Sequence, residues 1–249
     1  MSSATGFPDW RFWFGLTVLL PQALYVRKTA LRLGPASGPV HGEVAGVGRP
    51  LRLRLVGDSI IAGVGIERLG DALPGQLAGA LARHSGRPVQ WRAIGEGGLD
   101  AGEVHDQLLA GAQAEAADLV VVSIGVNDVT GLRSRQHWRT RLAQLLDRSA
   151  ELHGDQGRPP LVVHLGIPPL GHFPALPQPL RAVFGHRAAV LDAIAVEVVA
   201  QRPWARHIAS EFVPSGDQFA ADGYHPNAAA CALWADGIAE RLPEVIATS

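Results

Sequence analysis

The chain has 249 residues, 47% of them apolar and 18% charged, enough to bury a sizeable core and far from the low-hydrophobicity, high-charge pattern of disordered chains. Lysine and arginine number 22 against 23 for aspartate and glutamate, and no stretch is dominated by one sign, so a nucleic-acid partner gains no support. The single cysteine, Cys231, excludes an internal disulfide and a two-cysteine metal knuckle and is compatible with a reducing compartment, so a cytoplasmic location is expected.

Residues 12–26 (FWFGLTVLLPQALYV) are strongly apolar but contain Pro21 and Gln22 and fall short of the roughly 20 residues that cross a bilayer. Asp9 offsets Arg11 ahead of the run and no small-residue cleavage site follows, which makes a poor export signal. Trp10, Trp13 and Tyr25 lie in or beside the run, and Arg27, Lys28 and Arg32 follow it. Two readings stay open: peripheral contact with a membrane surface through residues 12–26, or a helix packed on the protein's own surface. Residues 33–49 are rich in Gly and Pro and read as a linker or extended lead-in. The expected organisation is therefore an apolar segment and linker over 1–49 and one folded domain over 50–249.

Within that domain strand and helix signals alternate. A strand over 51–56 meets Gly57, and apolar residues at helical intervals follow over 69–83. Next come a strand over 89–94, an Ala-rich helix over 101–117 and a β-branched strand over 119–124 of the kind covered on both faces. A helix over 136–152, a strand over 161–165, a helix over 179–200, a weak strand over 206–209 and a closing helix after Pro226 complete the pattern, with Cys231 as a buried thiol on that last helix. Such alternation predicts an α/β fold, a central parallel sheet of about five strands between helices with right-handed crossovers. In open sheets of this kind ligands bind beyond the carboxyl ends of the strands.

Four turns at those ends carry distinctive residues. Val56-Gly57-Asp58-Ser59 places a hydroxyl at a strand-to-helix corner, where helix amides can face an anion; an ordinary helix N-cap is the competing reading. Ile94-Gly95-Glu96-Gly97-Gly98 offers bare backbone amides, although turn chemistry alone also explains it. Ser123-Ile124-Gly125-Val126-Asn127-Asp128 presents an amide side chain with two N–H donors, in a pair that is also a common turn former. Asp222-Gly223-Tyr224-His225-Pro226-Asn227 precedes a helix expected to begin at Pro226, with His225 at its cap. Three residues of separation let Asp222 curl back to one imidazole nitrogen and fix the tautomer, leaving the other nitrogen to take a proton from a hydroxyl.

Together, GDS at 57–59, GEGG at 95–98, GVND at 125–128 and DGYHP at 222–226 resemble the four blocks of the SGNH/GDSL hydrolases. The resemblance runs from Leu51 through the last helix, and the ordered co-occurrence is more specific than any single block. It implies a flavodoxin-like three-layer α/β/α sandwich, Ser59 as nucleophile, His225 as general base and Asp222 as its orienter. It also implies an oxyanion hole made by the backbone N–H of Ser59, the backbone N–H of Gly98 and the side chain of Asn127, with no metal and no cofactor. The second block departs from the family, which often has an Asn before the glycines where this chain has Arg92-Ala93-Ile94; Gly98 rests on the Gly-x-x-Gly spacing, and Gly97 stays open. The reaction implied is hydrolysis of carboxylic esters of small to medium acyl chains, with lysophospholipids, thioesters and acetylated sugars as alternatives and a catalytically silent acyl-binding protein as the non-enzymatic one. A small-molecule ester or lipid is thus the expected partner. In the loop over 166–180, with its five prolines, Leu170, Phe173 and Leu176 are candidates for the substrate pocket. Dinucleotide and Walker fingerprints, Gly-x-Ser-x-Gly and His-Glu-x-x-His are all absent.

Overall fold

The computed structural model describes residues 21–22, 24–26, 31–210 and 215–243. Its sheet has six strands: β1 (His41–Val44), β2 (Leu51–Gly57), β3 (Val89–Gly95), β4 (Leu119–Ser123), β5 (Leu161–Leu165) and β6 (Ala205–Ile208), in spatial order β1-β3-β2-β4-β5-β6. β2 to β6 are mutually parallel, as the alternation predicts, and β1 adds an antiparallel edge on β3. That edge comes from the lead-in: His41-Gly42-Glu43-Val44 has little apolar patterning and joins through backbone hydrogen bonds, which sequence periodicity does not register. The order β3-β2-β4-β5-β6 is the flavodoxin-like one, in which connections diverge between β2 and β4 and open a crevice beyond their carboxyl ends.

The main helices are α1 (Leu73–Ser85), α2 (Ala101–Glu103, continuing into a π-helical turn over Val104–Leu109), α3 (Val126–Thr130), α4 (Arg135–His153), α5 (Leu180–Ala200) and α6 (Ala228–Glu240). β2 alternates strictly, so Leu51, Leu53 and Leu55 face one side, where they pack with Leu73, Leu77 and Leu81 of α1 and Ala235 and Ile238 of α6. On the opposite side Val120 and Val122 of β4 lie under Trp138, Leu142 and Leu145 of α4 and Leu191 of α5. Each fully buried leucine or valine stabilises the fold by about 1.5–3 kcal/mol. The result is the expected three-layer sandwich.

Helix boundaries follow local chemistry. α1 starts at Leu73, later than the periodicity suggests, because Pro74 suits the first turn; Gly86, in the left-handed region at φ 70°, ends it. The helix expected over 101–117 stops at Leu109 instead. Asp100 and Glu103 form a capping box at its start, but Glu115 is drawn to Arg54 and Arg92, and Ala117 N–H donates to the His153 carbonyl. Those tertiary contacts override the helix propensity of the alanines. α6 begins at Ala228, with Asn227 rather than His225 as its cap, because the Asn227 side chain accepts from Ala230 N–H at 3.0 Å. Cys231 is buried on α6, where burial pushes its thiol up to about 12.

Among the described residues no helix is long and apolar enough to cross a membrane. Most of the apolar 12–26 segment, with Trp10, Trp13, Arg27 and Lys28, lies outside them. Of its described part, Gln22 donates to the Gln178 carbonyl and accepts from Leu180 N–H at the start of α5, and Val26 packs on the core, while Leu24 and Tyr25 are exposed.

Candidate active site

Gly57 ends β2 so close to β4 that a side chain there would stand 2.0 Å from the Ser123 carbonyl oxygen, which only glycine permits. The chain then turns sharply. Asp58 N–H donates back to Ser123 at 3.3 Å, and Ile61 and Ala62 N–H donate to the Asp58 carbonyl. Ser59 stands on that corner. The N-cap reading is not needed, since the first long helix begins only at Leu73. A side chain at Gly97 would lie 3.7 Å from Ser59 Cβ, so the glycine block borders the serine directly, and Gly98 takes the left-handed φ of +90°.

The third block closes onto the first two. Asn127, at the start of α3, donates from Nδ2 to the Leu99 carbonyl at 2.9 Å and to Asp58 Oδ2 at 3.4 Å. One amide therefore ties the turn after β2 to the turn after β3. Asp58 is buried beside it, accepting from Ile60 N–H at 3.2 Å, and burial lifts its carboxyl to about 7. Asp128, also buried, accepts from Ala101 N–H at 3.1 Å and is likewise raised to about 7 by burial, with Asp100 and Asp58 adding to the effect. Asp100, Asp128 and His137 offer oxygen and nitrogen atoms within 4.8 Å of one another, but Arg133 already supplies the countercharge to Asp100 at 2.6 Å.

The fourth block is held by its own hydrogen bonds. Asp222 Oδ1 accepts from the N–H groups of Tyr224 and His225 at 2.9 and 3.0 Å, while Oδ2 meets His225 Nδ1 at 2.6 Å. The carboxylate makes Nδ1 the protonated ring nitrogen and leaves Nε2 with a lone pair. Burial works to raise the Asp222 carboxyl, but the His225 ring and the two backbone donors hold it below the usual carboxylate range. The loop is pinned to the domain by Ala220 N–H to the His225 carbonyl and by Asn227 N–H to the Gln218 carbonyl. Tyr224 stands edge-on to both His225 and Phe173; burial, with Asp58 and Asp222 adding, pushes its phenol well above the ordinary value.

Ser59 and His225 share the walls of one cavity of about 50 Å³, completed by apolar groups that include Ile124, Pro168, Phe173, Phe219 and Trp234. Thus residues from the turn after β2 and from the loop before α6 meet at one opening. Asn127, Gly97 and Gly98 do not form part of that wall; Gly97 borders Ser59, and Asn127 reaches Asp58, the residue before it. Of the three residues expected from the proline-rich loop, Phe173 lines the cavity, whereas Leu170 and Leu176 do not. Both are buried in the core beneath the loop, because the 3-10 turn Leu170–His172 packs directly on α5, with the Gly171 and Gly185 backbones in close contact. Phe219 and Trp234 carry no sequence signal for this role; Asp58 carried one only as part of its motif.

The model of the GDSL-like lipase/acylhydrolase family matches residues 55–233. A GDSL-like esterase of Mycobacterium tuberculosis is 32% identical over 210 residues, covering 80% of this chain; the chain spans 64% of that relative's length. Among solved structures, a carbohydrate acetylesterase family member from Sinorhizobium meliloti superposes with a TM-score of 0.60 at 17% identity, covering 79% of this chain and 99% of the other. The aryl esterase of M. smegmatis does so with a TM-score of 0.56 at 20% identity, covering 78% and 99%. At such identities the structures speak to the fold alone, whereas the family match spans all the blocks from Ser59 to His225, and on that ground the chain belongs to the GDSL-like lipase/acylhydrolase family.

Proposed function

We propose that this chain is a serine hydrolase of carboxylic esters, with Ser59 as nucleophile, His225 as general base and Asp222 as the group that orients it. The observation that carries the reading is the 2.6 Å contact between Asp222 and His225 Nδ1, with the same imidazole and Ser59 on one cavity wall. In the first half-reaction Ser59 Oγ attacks the ester carbonyl as His225 Nε2 takes its proton; the tetrahedral adduct collapses, His225 protonates the departing alkoxide, and an acyl-serine remains. A water molecule then repeats the sequence, releasing the carboxylic acid and restoring Ser59.

The oxyanion is assigned to the backbone N–H of Ser59, the backbone N–H of Gly98 and Asn127 Nδ2. The long 3.4 Å contact from Asn127 to Asp58 lies at the limit of a hydrogen bond, so that N–H can turn to a developing anion at little cost. Cavity size supports a short acyl group, since roughly 10–15 Å³ of such space houses one water and the cavity measures about 50 Å³. Esters of small acids are therefore ranked above lysophospholipids.

Fluorophosphonate labelling of the wild type and Ser59→Ala tests the nucleophile; labelling that survives in the variant removes Ser59 from the role. A p-nitrophenyl ester series then tests the pocket, with acetate to butyrate expected to turn over fastest. A silent acyl-binding protein would take up neither the label nor the esters.

A further inference from the structure

The sheet carries two polar rows on the face that α4 covers. In the first, Arg52 on β2 aligns with Gln90 and Glu43, and its guanidinium meets two carboxylates, Asp118 at 2.8 Å and Asp155 at 3.0 Å. In the second, two residues further along β2 and β3, Arg54 aligns with Arg92 and Arg92 with His41, so three basic side chains lie side by side across three strands. Like charges directly opposite in a sheet repel. A single carboxylate, Glu115, stands against both guanidiniums, at 3.2 Å from Arg54 and 3.1 Å from Arg92. Two cations and one anion leave one positive charge uncompensated.

Beside this row lies a groove of about 420 Å³, opened where the chain leaves helix after Leu109. Arg92, Gln107, Gln113, Glu115 and His153 line it. His153 Nδ1 faces the Glu115 carbonyl at 2.8 Å and must donate to it, so Nε2 is a buried acceptor with no hydrogen-bond partner. Arg54 Nε is a buried donor in the same state. Of these two groups only His153 belongs to the groove wall, and an unpaired acceptor beside an excess positive charge matches an oxyanion that also carries an O–H.

We propose that this groove is a binding site for a phosphate group, held by Arg92 through its charged oxygens and by His153 Nε2 through a hydroxyl, while Arg54, outside the groove wall, adds positive charge. The site is independent of Ser59 and His225. Burial keeps His153 on the neutral side, with Arg54 and Arg148 opposing a second proton, which preserves the acceptor.

Calorimetric titration of the full chain tests this, with inorganic phosphate and glycerol phosphate as probes and sodium chloride as the ionic-strength control. Saturable one-site binding is expected, unchanged in Ser59→Ala. Arg92→Gln should weaken it at least tenfold while leaving ester hydrolysis at the wild-type rate, and Glu115→Gln, which removes the competing carboxylate, should tighten it. Tighter binding of glycerol phosphate assigns a phosphate ester, and tighter binding of inorganic phosphate assigns the free anion; either supports the site. No saturation with either probe, or equal affinity in Arg92→Gln, overturns it.

Discussion

Asp58 is buried in the cavity wall and Asp222 is partly buried, bonded to His225 of the same wall, and the fold treats the two carboxylates in opposite ways. Asp222 receives an imidazole and two backbone N–H groups at 2.6–3.0 Å, and those donors hold it charged despite burial. Asp58 receives one backbone N–H at 3.2 Å and a long amide contact at 3.4 Å, too little to offset burial, so it is lifted to about 7. Asp58 combines deeper burial with few, long donated hydrogen bonds, whereas Asp222 combines shallower burial with three short ones, and the two effects together decide which carboxylate stays ionised. In the proposed mechanism the charged one orients the base, and the one that holds its proton more firmly sits beside the oxyanion donor, where a full negative charge would oppose the transition state.

The largest effect should come from breaking the charged side of this comparison. Asp222→Asn keeps the shape but offers an amide N–H toward Nδ1, favouring the wrong tautomer; turnover should fall by about 10³–10⁴-fold, and a variant within tenfold of wild type would remove Asp222 from the triad. Asn127→Ala, which deletes the amide that bonds Asp58 and is proposed to hold the oxyanion, should lower kcat by about 10²–10³-fold with little change in KM. Steady-state kinetics on a p-nitrophenyl ester would reveal a wrong assignment as an unchanged kcat.

Stability against pH sharpens the other side. An acid lifted from 3.8 to about 7 binds more protons folded than unfolded between those values, so Asp58 and Asp128 make stability fall as pH rises from about 4 to 7 and level off above. Asp222, held below the usual range, acts in reverse: its contribution is present above about 4 and lost as pH falls through its lowered folded value. Urea unfolding of Asp58→Asn should show a shallower decline between pH 4 and 7, by on the order of a few kcal/mol, since one pKa unit corresponds to about 1.36 kcal/mol. A decline as steep as in the wild type would contradict the buried-acid assignment. The smallest change is expected from Phe173→Leu, which trims the cavity wall and should move the preferred acyl chain longer by one or two carbons with a several-fold change in kcat/KM.

Much of the candidate site's geometry is legible in the sequence because its contacts are local. Asp222 and His225 lie three residues apart, and a carboxylate at that spacing reaches both the ring and the loop amides without help from elsewhere. Gly57 and Ser59 could be read from a strand signal followed by its turn. The cavity wall was not legible. Leu170 and Phe173 have the same apolar character and sit three residues apart in one loop, yet one is core and the other faces the cavity, and the packing of Gly171 on Gly185 separates them.

The sequence by itself determined the alternation of strands and helices, the order of the four blocks and the Asp222–His225 pair, since apolar periodicity, turn residues and short-range hydrogen bonding act within a few residues of one another. The tertiary structure alone decided that residues 41–44 become an edge strand, that the helix begun at Ala101 ends at Leu109, and that Arg54 and Arg92 share one carboxylate. Those outcomes depend on which distant groups meet across the sheet, and a hydrogen bond or ion pair between residues far apart in the chain leaves no mark on local propensity.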